Sequence, residues 1–190
     1  MTATNSEDLA LPKGSLLVTG ATGYIASHII NEALSIRYRV RGTVRPTSKA
    51  EQTERLFRSP EYETVIAEDI AREGVFDEAV KGVDTIVHTA SVMSFSPNPH
   101  EVIPVTIAGA TGLLKLAARE QRTKRFVYTS SSTAATIPKP GKKFKIGRNT
   151  WDDEAARDAW APPPNNADRA FTVYAASKTE AERAVWKSVE

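Results

Sequence analysis

The chain has 190 residues, 41% of them hydrophobic, enough for one globular domain with a buried core. Its 25 Lys+Arg nearly balance 23 Asp+Glu, a formal net charge of +2, which excludes the large clustered basic excess of a nucleic-acid binder. With no cysteine there is no disulfide framework, no cysteine-based zinc site and no thiol nucleophile.

The opening "MTATNSEDLALPKG" (1–14) reads as a polar lead-in without the basic and apolar regions of a signal peptide. No stretch approaches the apolar length of a bilayer span, so a soluble, cytoplasmic protein is expected. "SLLVTG" (15–20) is a buried strand ending in glycine, and "GYIASHIINEALS" (23–35) has helical spacing through Ile25, Ile29 and Ala33. "YRVRGTV" (38–44) is the next strand, "SKAEQTERLFR" (48–58) a helix and "YETVIAED" (62–69) a strand. "EGVFDEAVKG" (73–82) predicts a short helix and "VDTIVHTA" (83–90) a strand. A long helix over 101–121, irregular near Pro104, precedes the fifth strand, "RFVYTSS" (125–131). Residues 132–170 show no steady period and contain "PPP", so a long functional loop is expected there. Within it, the basic run Lys139 to Arg148 reads as a solvated loop. The last helix is expected over 169–189. Strands alternating with helices predict an α/β doubly wound parallel sheet, a Rossmann fold filling residues 15–190.

The first strand-to-helix turn carries the first chemical signal. In "VTGATGYIA", Gly20 ends the strand, Gly23 opens the helix and Ala26 is small enough for close helix–sheet packing. A phosphate at a helix N-terminus needs free N–H groups and no Cβ atoms in its way. Thr19, Gly20, Thr22, Gly23, Tyr24 and Ile25 are therefore candidate cofactor-binding residues. An acid ending the second strand would bind ribose hydroxyls and repel a 2′-phosphate, but this strand runs "VRGTVRPTSK". Arg45 and Lys49 stand there instead, which points to NADP(H).

The second signal lies in "VYAASKTEAERAVWK". On a helix, Tyr174, Lys178, Ala181 and Val185 share one stripe, which faces the core. A lysine on that stripe is unusual. An ammonium held beside a phenol stabilises the phenolate, so the pair can exchange a proton as general acid and base. Ser130, Ser131 and Ser132, just past the fifth strand, can supply a hydroxyl for a substrate oxygen, since ligands bind beyond the carboxyl ends of such strands. His88 ends a buried strand and reads as a satisfied core histidine, and His28 and His100 are isolated, so no metal set is expected. Trp160, Phe171 and Trp186 read as core or loop-anchoring aromatics, and the acids at 152–154 as structural.

Together "VTGATGYIASH", "VRGTVR", "HTASVMSFS", "RFVYTSSSTAA", "IPKP" and "VYAASKTEAERAVWK" resemble the extended short-chain dehydrogenase/reductase superfamily. Within it they resemble the dihydroflavonol-reductase-like group, and most of all fungal NADPH-dependent aldehyde and ketone reductases. The resemblance implies a serine–tyrosine–lysine triad: Ser131 binding the carbonyl, Tyr174 donating the proton, and Lys178 holding the nicotinamide ribose beside Tyr174. It implies that Arg45 meets the 2′-phosphate, that Asp69 and Ile70 border adenine, and that Thr89, Ala90 and Ser91 lie along the cofactor ribose. The implied reaction moves hydride from NADPH to a small carbonyl compound. Neither nucleic acid nor a membrane is an expected partner.

Members of the group continue past the catalytic helix with further strands and most of the substrate pocket. The chain is thus expected to be truncated after the helix that follows strand 5, leaving that strand as an edge open to self-association. Two other activities remain on the sequence: an NADPH-binding module without turnover and, ranked lower, an epimerase or dehydratase of the same superfamily.

Overall fold

A computed structural model describes residues 13–189, so most of the lead-in, residues 1–12, lies outside the described residues. Five parallel strands form one sheet: β1 (Ser15–Thr19), β2 (Arg39–Val44), β3 (Tyr62–Ile66), β4 (Thr85–His88) and β5 (Arg125–Tyr128), in the order β3-β2-β1-β4-β5. The helices are α1 (Tyr24–Ser35), α2 (Ser48–Phe57), α3 (Pro99–Arg119), α4 (Asp153–Ala159) and α5 (Ala170–Lys187). This is the expected doubly wound sheet. β1 is its middle strand and the chain reverses direction across it, which places a ligand crevice at the carboxyl ends of β1 and β4.

β1 is an apolar run because both its faces are buried. Leu16 and Val18 join Ala26, Ile30 and Ala33 of α1 in one core. Leu17, on the opposite face, joins Phe76, Ile86 and Leu113 in the other. A further cluster of Ala110 and Leu114 from α3 with Val185 from α5 packs on Phe126 and Tyr128 of β5. That packing fixes α5, and with it Tyr174 and Lys178, over the end of β5.

Four expectations are corrected. Residues 73–82 form successive turns, not a helix. The apolar spacing was real, because Val75, Phe76, Ala79 and Val80 are buried. Gly74 and Gly82, both at positive φ, bracket the segment. Its free carbonyls go to a side chain instead of a helical ladder: the Arg41 guanidinium donates to Glu78 O (3.2 Å), Ala79 O (2.8 Å) and Lys81 O (3.0 Å). The 132–170 connection is not structureless: it holds two 3₁₀ turns and α4, whose first turn is capped by Asp152 accepting from the Ala155 N–H at 2.9 Å. At seven residues, "DEAARDA" is too short and too polar to show a periodic stripe. α3, at 21 residues, is long and apolar enough to cross a membrane by length and composition. Its Val102, Ile103, Thr106, Leu113 and Ala117 are buried within this fold, as in a core helix. Lastly, Phe171 and Trp186 are exposed rather than core, whereas Trp160 does anchor its loop, donating to Glu180 Oε1 at 2.9 Å and meeting the His100 ring edge-on.

β5 pairs with β4 on one side, and among the described residues nothing pairs with its other edge. Beside that edge, Val127 is exposed and lines a cavity of about 790 Å³ together with Ile29, Ile36 and Tyr38.

Candidate active site

β2 ends at Val44 as the sequence predicts, while β1, β3, β4 and β5 end one to three residues earlier, and the residues released lie at the crevice. At the end of β1, Gly20 has φ +75, and a Cβ there would sit 3.3 Å from the Ala90 Cα. Gly23 caps α1 with no side-chain hydrogen bond, and a Cβ on it would lie 3.1 Å from the Gly20 carbonyl. No acid occupies the first turn of α1. The result is a bare helix N-terminus, with the Tyr24 and Ile25 side chains turned out to solvent, that suits a phosphate. The turn is fastened from β2: the Gly20 N–H donates to Thr43 Oγ1 at 3.1 Å and the Ala21 N–H to Thr43 O at 2.8 Å. Thr43 was not singled out in the sequence, where it reads as one more strand residue.

Beyond β2, Arg45 and Lys49 are exposed, and Lys49 Nζ donates to Gln52 Oε1 at 2.8 Å. Beyond β3, Asp69 accepts from the Ala71 N–H at 2.9 Å, and Ile70 is half-buried, filling the space that a Cβ on Gly109 would need. Thr89, Ala90 and Ser91 follow β4, and the Ser91 hydroxyl is buried without a hydrogen-bond partner in the protein. Thr19 stands apart from these. It is fully buried, and its hydroxyl takes the N–H groups of Thr89 (3.1 Å) and Ala90 (3.0 Å) and meets His88 Nδ1 at 2.8 Å. Its side chain ties the ends of β1 and β4 together and so sets the position of Thr89 and Ala90.

His88 is a core histidine, as expected, stacked on Tyr128 with ring centroids 5.9 Å apart. Burial, and then the charge of Lys178, pushes its imidazole down to about 4 from an ordinary 6.5. The folded protein therefore resists protonation that the unfolded chain accepts first. The stability this contributes is complete above pH 6.5 and drains as pH falls to about 4, a loss of about 3 kcal/mol. Urea midpoints measured across that window should fall with pH, and His88→Gln should flatten this part of the slope. Equal slopes in the two proteins would show that His88 is not buried neutral.

Ser131 follows β5 in the chain, and Tyr174 and Lys178 lie on α5, where Lys178 reaches the residue after β5. Lys178 is 4% exposed, its Nζ 3.5 Å from the Thr129 carbonyl and 5.9 Å from the centre of the Tyr128 ring. Burial holds its ammonium below the ordinary lysine value, and the Glu182 carboxylate opposes that. Tyr174 is one turn earlier, half-buried between the rings of Phe95 (5.4 Å) and Phe171 (6.2 Å). Ser131 Oγ accepts from Thr133 Oγ1 at 2.9 Å. It lines a cavity of about 470 Å³ with Ser130, Arg148, Trp151 and Glu182. Thr179 of α5 donates to the Ala134 carbonyl at 3.3 Å, which pins the serine turn to the helix. Phe95, which the sequence does not single out, holds φ +49, a left-handed conformation that bulky residues seldom adopt.

The strand order and crossovers define an α/β protein of the Rossmann class. The chain belongs to the NAD dependent epimerase/dehydratase family, whose model matches residues 16–190. It is 40% identical over 188 residues to the NAD-dependent epimerase/dehydratase terH of Aspergillus terreus, covering 97% of this chain and 55% of that one. It is likewise 40% identical over 189 residues to aldehyde reductase 2 of Sporidiobolus salmonicolor, with the same shares of 97% and 55%. Among solved structures, yeast methylglyoxal/isovaleraldehyde reductase Gre2 complexed with NADPH superposes with a TM-score of 0.77 at 26% identity, over 91% of this chain and 52% of that one. The chain thus spans about half the length of the relatives it matches.

Proposed function

We propose that this chain is the cofactor-binding and proton-donating part of an NADPH-dependent reductase of aldehydes or ketones. The observation that carries the reading is a lysine 4% exposed, one helical turn from a half-buried tyrosine, at the same sheet end as the bare glycine turn. A lysine placed there for solubility would face water. The kinship with aldehyde reductase 2 supports the reductase class.

The residues present fit the cofactor. Gly20, Gly23 and the N–H groups opening α1 would take its pyrophosphate, and Thr22, Tyr24 and Ile25 would flank it. Arg45, with Lys49 near it, would take the 2′-phosphate, while Asp69 and Ile70 would border the adenine. Thr89, Ala90 and the unpartnered Ser91 hydroxyl would face the ribose. Bound NADPH supplies the hydride. Ser131 orients the substrate oxygen, and Tyr174 delivers its phenolic proton to that oxygen as charge develops there. Lys178 would stabilise the resulting phenolate and hold the nicotinamide ribose. Phe95 and Phe171 give the substrate an apolar approach to Tyr174.

NADPH should bind at least about tenfold more tightly than NADH, the discrimination of one charge-assisted phosphate contact. Arg45→Asp should erase or reverse this in a fluorescence titration. Equal affinities of the parent protein for the two cofactors would remove the basis of the assignment. Turnover is tested by aldehyde-dependent NADPH oxidation, with the chain alone and with the remaining half of aldehyde reductase 2 joined at Glu190. Oxidation in neither, with NADPH bound in both, would favour the second reading, cofactor binding without turnover.

A further inference from the structure

Glu182 lies one turn beyond Lys178 on α5 and belongs to none of the roles above. On sequence it reads as a weak helical partner for Lys178, in the less favourable lysine-before-glutamate order. The structure gives it more to do. Ser130 Oγ donates to Glu182 Oε2 at 2.5 Å, a contact across 52 residues of chain. Trp186 Nε1 donates to the other oxygen, Oε1, at 3.4 Å. The carboxylate thus joins the serine turn after β5 to the helix that carries Tyr174 and Lys178, and it lines the same cavity as Ser131.

We propose that Glu182 is a positioning residue of this site, which clamps the Ser130–Ser131 turn onto α5 and serves as the counter-charge of the buried Lys178. The groups facing Lys178 are few. His88 reaches it from β4, the Tyr128 ring from β5, the Thr129 carbonyl from just past β5, and Glu182 from α5 itself, where Tyr174 lies one turn before it. Glu182 is the carboxylate among them. Burial alone drives an ammonium toward its neutral form, and a neutral amine supports a phenolate poorly. The carboxylate opposes that drift. Its field also falls on Tyr128, whose hydroxyl is pushed up to about 12 by burial first and Glu182 second. Tyr128 therefore stays neutral and does not compete for the charge of Lys178. A contact across the top of the sheet and a charge beside the lysine come from one side chain, which explains why a glutamate sits in the last turns of a mostly apolar helix face.

The inference rests on the role proposed for Lys178, but its test needs no turnover. In protein carrying ¹³C-labelled lysine, the Cε resonance of Lys178, assigned with Lys178→Arg, is followed against pH. Glu182→Gln keeps the size and an oxygen for Ser130 but loses the charge, and it should move the titration to lower pH. Glu182→Asp, with the charge drawn back by one methylene, should move it less in the same direction, and it serves if the glutamine variant does not fold. Glu180→Gln removes a charge from the same helix, where Glu180 accepts from Trp160, and should leave the titration in place. An unmoved Lys178 titration in folded Glu182→Gln, or an equal move in Glu180→Gln, overturns the proposal and reduces Glu182 to a structural brace. A moved titration in a protein that binds NADPH but never turns over would uphold this inference while refuting the reductase reading.

Discussion

Replacing Tyr174 with phenylalanine should lower carbonyl reduction by about 10²–10⁴-fold, the usual contribution of a positioned general acid. The change removes one oxygen and no packing surface, because the ring contacts with Phe95 and Phe171 remain possible. NADPH affinity should therefore hardly change, and the loss should fall on kcat. Ser131→Ala should also slow chemistry more than binding, but less severely. Ser131 Oγ also accepts from the Thr133 hydroxyl and N–H, so the alanine variant loses the cap of that short turn as well, and its fold should be checked alongside its kinetics. Lys178 is a different case: a buried ammonium replaced by methionine would alter the local field as well as any contact it makes to the cofactor. Full activity in Tyr174→Phe, measured in the preparation joined to the reductase half, would rule out Tyr174 as proton donor.

The parts of this site that the sequence makes legible are those where backbone or burial forbids alternatives. Gly20 must be glycine because of its φ of +75 and its closeness to Ala90, and a glycine after the first strand is visible at once. Lys178 stands out because a lysine on the apolar stripe of a helix breaks a strong rule. Thr43 and Glu182 break no rule: a threonine in a strand and a glutamate in a helix look ordinary, and what they do depends on which strand or turn the fold brings beside them. Arg41 is hidden in the same way. Its three carbonyl partners lie 37 to 40 residues away, and its presence helps turn an apolar pattern that predicts a helix over 73–82 into a run of turns. Thr19 reads on the sequence as a cofactor-binding candidate, but its hydroxyl is buried against His88 and the N–H groups of Thr89 and Ala90, which only the fold reveals. Local propensity decides the element when nothing tertiary competes. Here one guanidinium does compete.

Gly20→Ala should be the most damaging single-methyl addition in the crevice. Two costs combine at this position. The left-handed backbone conformation costs a side chain about 1–2 kcal/mol wherever it occurs. The new Cβ would also sit 3.3 Å from the Ala90 Cα and 3.5 Å from its N, so the strand ends must spread. Ala90 cannot give freely, because its N–H is held by Thr19, whose hydroxyl also holds Thr89 and meets His88. Strain at Gly20 therefore reaches Thr89 and Ala90, the residues proposed to face the ribose, as well as the glycine turn itself. Gly82 provides the control. It shares the positive φ, +69, but a Cβ there meets nothing within 4 Å. Gly82→Ala should lower stability by the conformational cost alone, about 1 kcal/mol, and leave NADPH binding intact. Gly20→Ala should lower stability by about 2–3 kcal/mol and weaken NADPH by about 100-fold or more, since a methyl also stands where the pyrophosphate must approach the backbone. Denaturant midpoints read the first effect and a fluorescence titration the second. If Gly20→Ala binds NADPH like the parent protein, the turn is only a tight strand-to-helix connection and the cofactor lies elsewhere.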